Sequence, residues 1–277
     1  LATQWLKGNL QAATTWGVGR DLPRAVRDFY QAQGYRFLGI ADQNTYTWTD
    51  EYQAATMTGV PMVEASYPFG DLLALYMDHW RGAASLQGAV DWITREQGFA
   101  ILAAPQSPAK PVSDAQALAL RNLFAVEVFD ARLAATAPAA ADATGLWDRM
   151  LSHGTHVFAF AGDDLVSIRE TAAGPRAFIE VLAAGQDLSA LLNSMQQGAF
   201  YASTGAAFSD LRLDGKTIRI ESAAPATIRF IGRGGRLLSA VDGTNAAYTV
   251  HGNEGYVRVE LQSQAGRAWS QPYWISG

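Results

Sequence analysis

The order of apolar and amphipathic segments constrains the fold more than any other feature of the chain. Up to about residue 205, short apolar runs such as YRFLGIAD and FAVEVFD alternate with amphipathic stretches such as LPRAVRDFYQAQG. This alternation is typical of βα units around a mainly parallel sheet. In LPRAVRDFYQAQG, Asp21 as N-cap, Pro23 in the first turn and Gly34 at the end predict a helix. We therefore predict an α/β domain over residues 1–205.

The pattern changes after Gly205. Segments such as LRLDGKTIRIES and GYVRVELQS alternate between apolar and polar residues, and DG, GG and NEG turns separate them. Alternation at period two with such turns indicates antiparallel strands joined by hairpins. Residues 206–277 are therefore predicted to form a small C-terminal antiparallel β-sandwich.

The composition argues against several classes of partner and cofactor. A net charge of -5 argues against nucleic acid or an anionic membrane as the main partner. No apolar run approaches the ~20 residues that span a bilayer. The absence of cysteine excludes a thiolate nucleophile and sulfur ligands for a metal. A first residue of Leu1 fits removal of a leader, as in a secreted or periplasmic protein, and equally fits a trimmed chain, so compartment and oligomeric state stay open.

Acidic residues mark the ends of several predicted strands. The C-terminal ends of parallel strands in a barrel converge at its mouth, and a buried acid is costly unless it is paired, protonated or bound to metal. The acids that end these runs are Asp42, Glu64, Asp130, Asp163 and Asp164, and Asp71 opens the run DLLALYM. Each could serve only as a turn or helix cap. We predict instead that Asp42, Glu64, Asp71 and Asp164 share one site.

Seven segments carry a resemblance that runs over nearly the whole chain. They are KGNL, FLGIADQNT, LLAL, ILAAP, LWDRMLSHGTHVFAFAGDD, QGAFYASTG and AWSQPYW. In these segments the chain resembles the PHP (polymerase and histidinol phosphatase) superfamily, and within it the carbaryl-hydrolase-like CehA/McbA branch. The resemblance implies a distorted, TIM-like PHP-type (β/α)7 barrel followed by the small β-sandwich. It also implies strand ends that hold two or three metal ions through histidines and carboxylates, for hydrolysis by activated water.

The same resemblance implies where the metal ligands would lie, and the imidazoles are missing from those positions. At the position of the family's His-x-His motif this chain has Gln11 and Ala13, and at the Asp-His pair it has Asp42 and Gln43. The family's glutamate is retained as Glu64, and the Gly-His pair is replaced by Gly70 and Asp71. The Ala-His-Pro motif corresponds to Ala103, Ala104 and Pro105, and the Asp-x-His motif to Asp164 and Val166. Ala104 and Val166 cannot coordinate zinc, manganese or iron. None of the four histidines lies at a ligand position. We expect no transition-metal cofactor, whereas Ca²⁺ or Mg²⁺ on oxygen ligands stays open.

Three functions are compatible with this pattern. The first is a metal-independent hydrolase, most simply a glycosidase, in which Glu64 and Asp164 divide the acid and base roles while Asp42 and Asp71 tune them. The second is a catalytically inactive protein that binds a sugar, a small polar ligand or a partner protein. The third is a Ca²⁺- or Mg²⁺-dependent hydrolase on an oxygen-only site. We favour the first, although the sequence does not name the substrate.

The predicted substrate-binding residues carry amide, hydroxyl, carboxyl and aromatic groups. Amides and hydroxyls hydrogen-bond to a polar ligand, and flat aromatic faces stack on sugar rings. The residues are Gln11, Gln43, Asn44, Trp16, Trp48, Asp163, Tyr201 and Ser203, with Tyr46, Tyr67 and Trp80 also near the expected rim. For Tyr201 and Ser203 the role is implied by the resemblance, and a tight turn before Gly205 explains them equally well.

Overall fold

Two β-sheets form most of the protein, whose computed structural model describes residues 2–171 and 176–275. Within these residues there are sixteen strands and six short α-helices. The strands are β1 Gln4–Ala12, β2 Phe37–Ile40, β3 Thr58–Val60, β4 Met62–Tyr67, β5 Gly70–Leu75, β6 Phe99–Ala103, β7 Ala125–Asp130, β8 Phe158–Gly162, β9 Phe178–Ala183, β10 Phe200–Ser203, β11 Phe208–Asp214, β12 Thr217–Gly232, β13 Arg236–Thr249, β14 Tyr256–Ser263, β15 Gly266–Ser270 and β16 Tyr273–Trp274. The helices are α1 Pro23–Ala32, α2 Leu86–Arg95, α3 Asp114–Ala119, α4 Ala131–Thr136, α5 Thr144–Ser152 and α6 Leu188–Gln196. In the described residues no helix is long and apolar enough to traverse a bilayer.

Both sheets are mixed. The larger has the order β11-β12-β14-β15-β10-β9-β1-β2-β3, with β13 paired to β12 and β16 to β14. In it β1, β2 and β3 run parallel, whereas β9 is antiparallel to both β1 and β10. The smaller sheet has the order β4-β5-β6-β7-β8, of which β4, β5 and β6 are antiparallel and β6, β7 and β8 parallel.

The predicted (β/α)7 barrel is wrong. The runs PMVE and DLLALYM form a hairpin, β4 and β5, with only Pro68 and Phe69 between the strands. Two residues can connect antiparallel neighbours, but a parallel pair needs a crossover of a dozen residues or more. The run FIEVLA forms β9 and adds a further antiparallel strand between β1 and β10. Apolar runs indicated where strands lie but not which way they run.

The C-terminal strands continue the larger sheet. Strands β11 to β16 pair in antiparallel fashion, and β15 pairs with β10 through Tyr201 and Ser270. The predicted boundary at residue 205 falls between β10 and β11. The division of the chain into domains at that position stays a prediction.

Helix α1 confirms one predicted element and corrects its cap. The residue before Pro23 is Leu22, which makes no side-chain capping bond. Asp21 instead accepts a hydrogen bond of 2.8 Å from the backbone N–H of Ile168. Gly34 ends the helix with a φ of 81°, which glycine adopts without strain. The sequence therefore predicted the helix, but a tertiary contact removed the expected cap.

Side chains from both sheets share one apolar core, which fixes the strand ends that carry the polar residues. Leu10 and Phe37 of the larger sheet pack with Leu73, Ile101 and Phe160 of the smaller one, and all five are buried. Removing such side chains from water contributes roughly 1.5–3 kcal/mol each. Beside this core, Gln11 of β1 contacts Glu127 of β7 and Gly162 of β8.

A buried ion pair joins α5 to β14. Arg258 donates from Nε and Nη2 to the two carboxylate oxygens of Asp148, each at 2.8 Å. Tyr256 donates to the same carboxylate at 2.7 Å, and the guanidinium lies over the ring of Trp147. Because both charges are buried, each depends on the other for the interactions that water no longer provides.

Candidate functional site

Glu64 on β4 carries the most informative carboxyl of the site. Its Oε1 accepts a hydrogen bond of 3.1 Å from Nε2 of Gln43, and the two residues also form a backbone bridge. Burial raises the pKa of Glu64 to about 8, and the negative charges of Asp164 and Asp71 add to the rise. Gln43 and Lys110 act in the opposite direction. Glu64 is therefore mostly protonated at neutral pH while remaining only half-buried.

Asp71 lies on β5 directly opposite Ser66 of β4. Its Oδ1 accepts a hydrogen bond of 2.8 Å from Nζ of Lys110, which comes from the loop between β6 and α3. The same ammonium donates to Oγ of Ser66 at 2.5 Å. A loop cation thus bridges two neighbouring strands beside Glu64.

Asp164 follows β8 in an unusual backbone conformation. Its φ is 46°, in the left-handed region that a non-glycine residue adopts only at a cost. Burial raises the pKa of its carboxyl, and the guanidinium of Arg132, 3.3 Å away, opposes that rise. The charge of Asp71 also acts on Asp164. The charges of Asp71 and Asp164 thus both act on Glu64 and raise its pKa.

Asp42, the fourth predicted acid, has a different environment. Its buried carboxylate accepts hydrogen bonds from the backbone N–H of Thr14 at 2.6 Å, and from the hydroxyls of Thr14 and Thr47 at 2.5 Å each. Burial raises its pKa, and these three bonds counteract the rise. The carboxylate connects the loop after β1 to the loop after β2, so its contacts stabilise the structure of these loops.

Two buried acids were missed as site residues. Glu127, in the middle of β7, accepts hydrogen bonds from Nε2 of Gln11 at 3.3 Å and from the backbone N–H of Ala104 at 2.7 Å. Burial, then the charge of Asp130, raises its pKa well above the usual range. Burial, then the charge of Asp164, raises the pKa of Asp130 to about 7. The signal in the sequence was an acid within the apolar run FAVEVFD.

Gln11 and Asn44 hold the neighbouring backbone segments. The Oε1 atom of buried Gln11 has no hydrogen-bond partner among the described residues, and it packs on Gly162, where an added Cβ would lie 2.1 Å from it. Asn44 accepts a hydrogen bond of 2.8 Å from the backbone N–H of Ser66. Gln11 therefore contacts Glu127 and Gly162, whereas Asn44 is hydrogen-bonded to β4 two residues from Glu64.

The predicted tryptophans lie on the two loops that Asp42 joins. Trp16 and Trp48 are 62% and 70% exposed, and the ring of Tyr46 lies 5.8 Å from that of Trp48. Tyr67, by contrast, stacks on Phe69 and packs in the core. Exposed indole faces on anchored loops are available to a ligand.

Asp163, Tyr201 and Ser203 are occupied by structural contacts. Asp163 accepts hydrogen bonds from the hydroxyl of Tyr30 at 2.9 Å and from two backbone N–H groups, at 2.7 and 2.9 Å. Tyr201 packs edge-on against two aromatic rings in the core of the C-terminal strands. The hydroxyl of Ser203 donates to the backbone oxygen of Ala206 at 2.6 Å and so closes a turn. Among the described residues no hydrogen bond joins Tyr201 or Ser203 to Glu64.

A cavity of about 340 Å³ opens beside Asp164. Its lining includes Arg132, Asp163, Ser167 and Arg176, but not Glu64 or Asp71. Asp164 thus faces the cavity and interacts electrostatically with Glu64. A ligand in this cavity would approach the acidic group from the side of Asp164.

The predicted ligand positions of this site carry carboxylates and amides and no imidazole, and the absence of a transition metal stays a prediction. Over residues 2–171 and 176–275, no group of three or more histidine, cysteine or acidic side chains is arranged to hold a metal ion. Lys110 and Arg132 are ion-paired with Asp71 and Asp164, so two of the predicted acids already have cationic partners. The rings of His79 and His156 pack on Trp92 and Trp274 instead.

Comparison with known proteins identifies a structural neighbour. The chain is similar to a two-domain protein from Bacteroides vulgatus described as containing a predicted PHP-like metal-dependent phosphoesterase, with a TM-score of 0.56 and 10% sequence identity over 99% of this chain and 96% of that one. No family model and no curated protein matches the sequence. At this identity the similarity shows a shared overall fold, and membership of the PHP superfamily stays a prediction. The CehA/McbA branch and the replacement of ligand histidines stay predictions.

Proposed function

We propose that the protein is a hydrolase that acts without a bound metal ion, with Glu64 as general acid and Asp164 as general base or nucleophile. The observation that supports this proposal is the different partners of two neighbouring carboxyls, since Glu64 accepts a hydrogen bond from the neutral amide of Gln43 whereas Asp164 is ion-paired with Arg132 at 3.3 Å. Burial raises the pKa of Glu64 to about 8 and also raises the pKa of Asp164, but Asp164 has an ion-pair partner in Arg132 that opposes the rise and favours its ionised form. Hydrolysis by paired carboxyls needs one protonated carboxyl and one ionised carboxylate.

The charge balance of the site favours a neutral substrate. Asp71 is paired with Lys110 and Asp164 with Arg132, while Glu64 carries a proton. A phosphate ester would need an excess of cationic donors, because its oxygens bind best to unneutralised arginine or lysine. The exposed faces of Trp16 and Trp48 would suit a sugar ring. The substrate class we propose is therefore a glycoside or a related hydroxyl-rich compound.

A second candidate function is binding without turnover. It is favoured by the ion pairs themselves, because a carboxylate held by Lys110 or Arg132 is a weaker base and nucleophile than a free one. In that case the protein would hold the same class of ligand and release it unchanged. The two candidates differ in turnover and not in ligand chemistry.

A screen of aryl glycosides, in buffer with and without a chelator such as EDTA, tests both candidates. We expect release of the aryl group from at least one glycoside, at a rate that the chelator leaves unchanged. Glu64→Gln and Asp164→Asn should each lower turnover about 10²-fold or more, since general acid–base catalysis contributes that much. The exposed Glu96→Gln and Asp50→Asn variants are the matched controls. Binding without hydrolysis by the wild type would select the second candidate.

A further inference from the structure

Lys110, Asp71 and Ser66 form a compact polar group, of which only Asp71 was predicted from the sequence. Nζ of Lys110 lies 2.8 Å from Oδ1 of Asp71 and 2.5 Å from Oγ of Ser66. Asp71 and Ser66 are directly opposed on β5 and β4, so their side chains stand on the same face of the sheet. The ammonium reaches this face from a loop about forty residues further along the chain.

This group borders the proposed general acid. Glu64 and Ser66 are two residues apart on β4, and alternate residues of a strand lie on one face. The charges of Asp71 and Lys110 both act on the Glu64 carboxyl. A ligand group held by Lys110 and Asp71 would therefore lie beside Glu64.

The hydrogen-bonding capacity of the group is only partly used. An ammonium has three N–H donors, and two of those of Lys110 are taken up by described residues. Ser66 accepts from Lys110, which leaves its own O–H as a donor. Oδ2 of Asp71 accepts no hydrogen bond within the described part of the chain. The side chains of Lys110 and Asp71 are 30% and 20% exposed, so both are partly open to solvent.

A free donor next to a free acceptor matches one ligand chemistry. A hydroxyl group both donates and accepts, so two neighbouring hydroxyls can donate to Asp71 while accepting from Lys110 and Ser66. The ammonium and the carboxylate cancel in charge, which favours a neutral diol over an anion. We propose that Lys110, Asp71 and Ser66 form the subsite that holds a vicinal diol of the substrate beside Glu64. This inference rests on the proposed function for its substrate class, but its test needs only binding.

Methyl glycopyranosides and their singly deoxygenated analogues are suitable probes, with binding followed by saturation-transfer NMR and titration. We expect the wild type to bind a glycoside with an intact vicinal diol. Lys110→Met and Asp71→Asn should each weaken that binding about tenfold or more, because each removes a charge-assisted hydrogen bond. Ser66→Ala should weaken it less. Lys216→Met, on an exposed hairpin of the C-terminal strands, is the matched control and should bind like the wild type.

The outcomes separate this subsite from the proposed reaction. If the glycoside binds, is never hydrolysed, and loses affinity in Lys110→Met, the subsite stands and the proposed catalysis fails. If Lys110→Met and Asp71→Asn keep their melting temperatures and bind the intact glycoside as tightly as the wild type does, the subsite is refuted. Equal affinity of the wild type for intact and deoxygenated probes, or no binding of any probe, refutes it as well. Ser66→Ala and Asp71→Asn decide the matter should Lys110→Met fail to fold.

Discussion

Gln43 donates a hydrogen bond of 3.1 Å from Nε2 to Oε1 of Glu64, beside a backbone bridge between the same two residues. This contact fixes the direction of the Glu64 carboxyl and leaves Oε2 to carry the proton. The carboxyl is surrounded by protein and by two other acids, which accounts for its raised pKa. A protonated carboxyl in a fixed orientation is the form that a general acid requires.

The pKa of Glu64 predicts how its amide variant changes stability with pH. The folded-state pKa of about 8 lies above the ordinary 4.5, so between these values the folded protein holds a proton that the unfolded chain has lost. The free energy of unfolding of the wild type therefore falls as pH rises through this window. Glu64→Gln removes this dependence. It should match the wild type at pH 4 and exceed it by ~2 kcal/mol above pH 8, after allowance for partial exposure.

Denaturant unfolding of both proteins across this pH range measures the difference, with Glu96→Gln as the exposed control. Parallel stability curves for Glu64→Gln and the wild type would show that Glu64 ionises normally. The proposed acid role would then lose its physical basis.

Asp42 is predicted to contribute stability more than chemistry. Asp42→Ala removes three hydrogen bonds to Thr14 and Thr47 and leaves buried donors without partners. We expect a loss of ~3 kcal/mol in the free energy of unfolding, from thermal or urea denaturation. Asp50→Ala, at an exposed position, should cost little. A stable Asp42→Ala variant with abolished turnover would instead place Asp42 in the reaction.

The buried pair of Arg258 and Asp148 is predicted to be costly to break. Arg258→Met leaves the Asp148 carboxylate buried without its bidentate partner, and loss of ~3 kcal/mol or more is expected. Arg149→Met removes an exposed pair with Asp114, which should cost less than ~1 kcal/mol. Urea denaturation at low and high salt compares the two. Similar losses for both variants would show that burial does not decide the energetics of this pair.

Gly162 is predicted to be required for stability, because the side chain of Gln11 leaves no room for a Cβ at this position. A Cβ at this position would lie 2.1 Å from Oε1 and 2.8 Å from Cβ of Gln11, and the amide is buried against Glu127. Gly162→Ala should therefore lower the free energy of unfolding by ~2 kcal/mol through overpacking. Gly145→Ala, in the first turn of α5, where an added Cβ would meet Nη1 of the exposed Arg149 at 3.4 Å, should raise it by a few tenths of a kcal/mol. A neutral Gly162→Ala variant would mean that Gln11 is free to move.

The sequence predicted where most strands lie but not how they connect. The runs FLGI, FAILA and FAVEVFD form β2, β6 and β7 as expected, because buried apolar runs indicate strands whatever their direction. The hairpin of β4 and β5 was missed because Pro68 and Phe69 are not a characteristic turn pair. The antiparallel strand β9 was not among the predicted strands at all. In both places the structure has an antiparallel pairing where a parallel crossover was expected.

The residues of the candidate site were only partly predictable, because the sequence shows local patterns but not contacts between distant residues. Glu64, Asp71 and Asp164 could be found because acids next to apolar runs are conspicuous. Lys110 and Arg132 could not, because the contacts of Lys110 with Asp71 and of Arg132 with Asp164 join residues more than thirty positions apart. Asp42 was assigned to the site because the sequence does not show that Thr14 and Thr47 surround its carboxylate. Whether the grouped acids catalyse a reaction stays a prediction.

The pH dependence of kcat/KM for a glycoside that the protein hydrolyses tests the acid role of Glu64 most directly. With EDTA present throughout, the account predicts a rate that falls about tenfold per pH unit above pH 8, where Glu64 loses its proton. Glu64→Gln should be about 10²-fold slower and should lack this alkaline fall. An alkaline fall of the same shape in Glu64→Gln, or a wild-type rate that EDTA abolishes, would contradict the account.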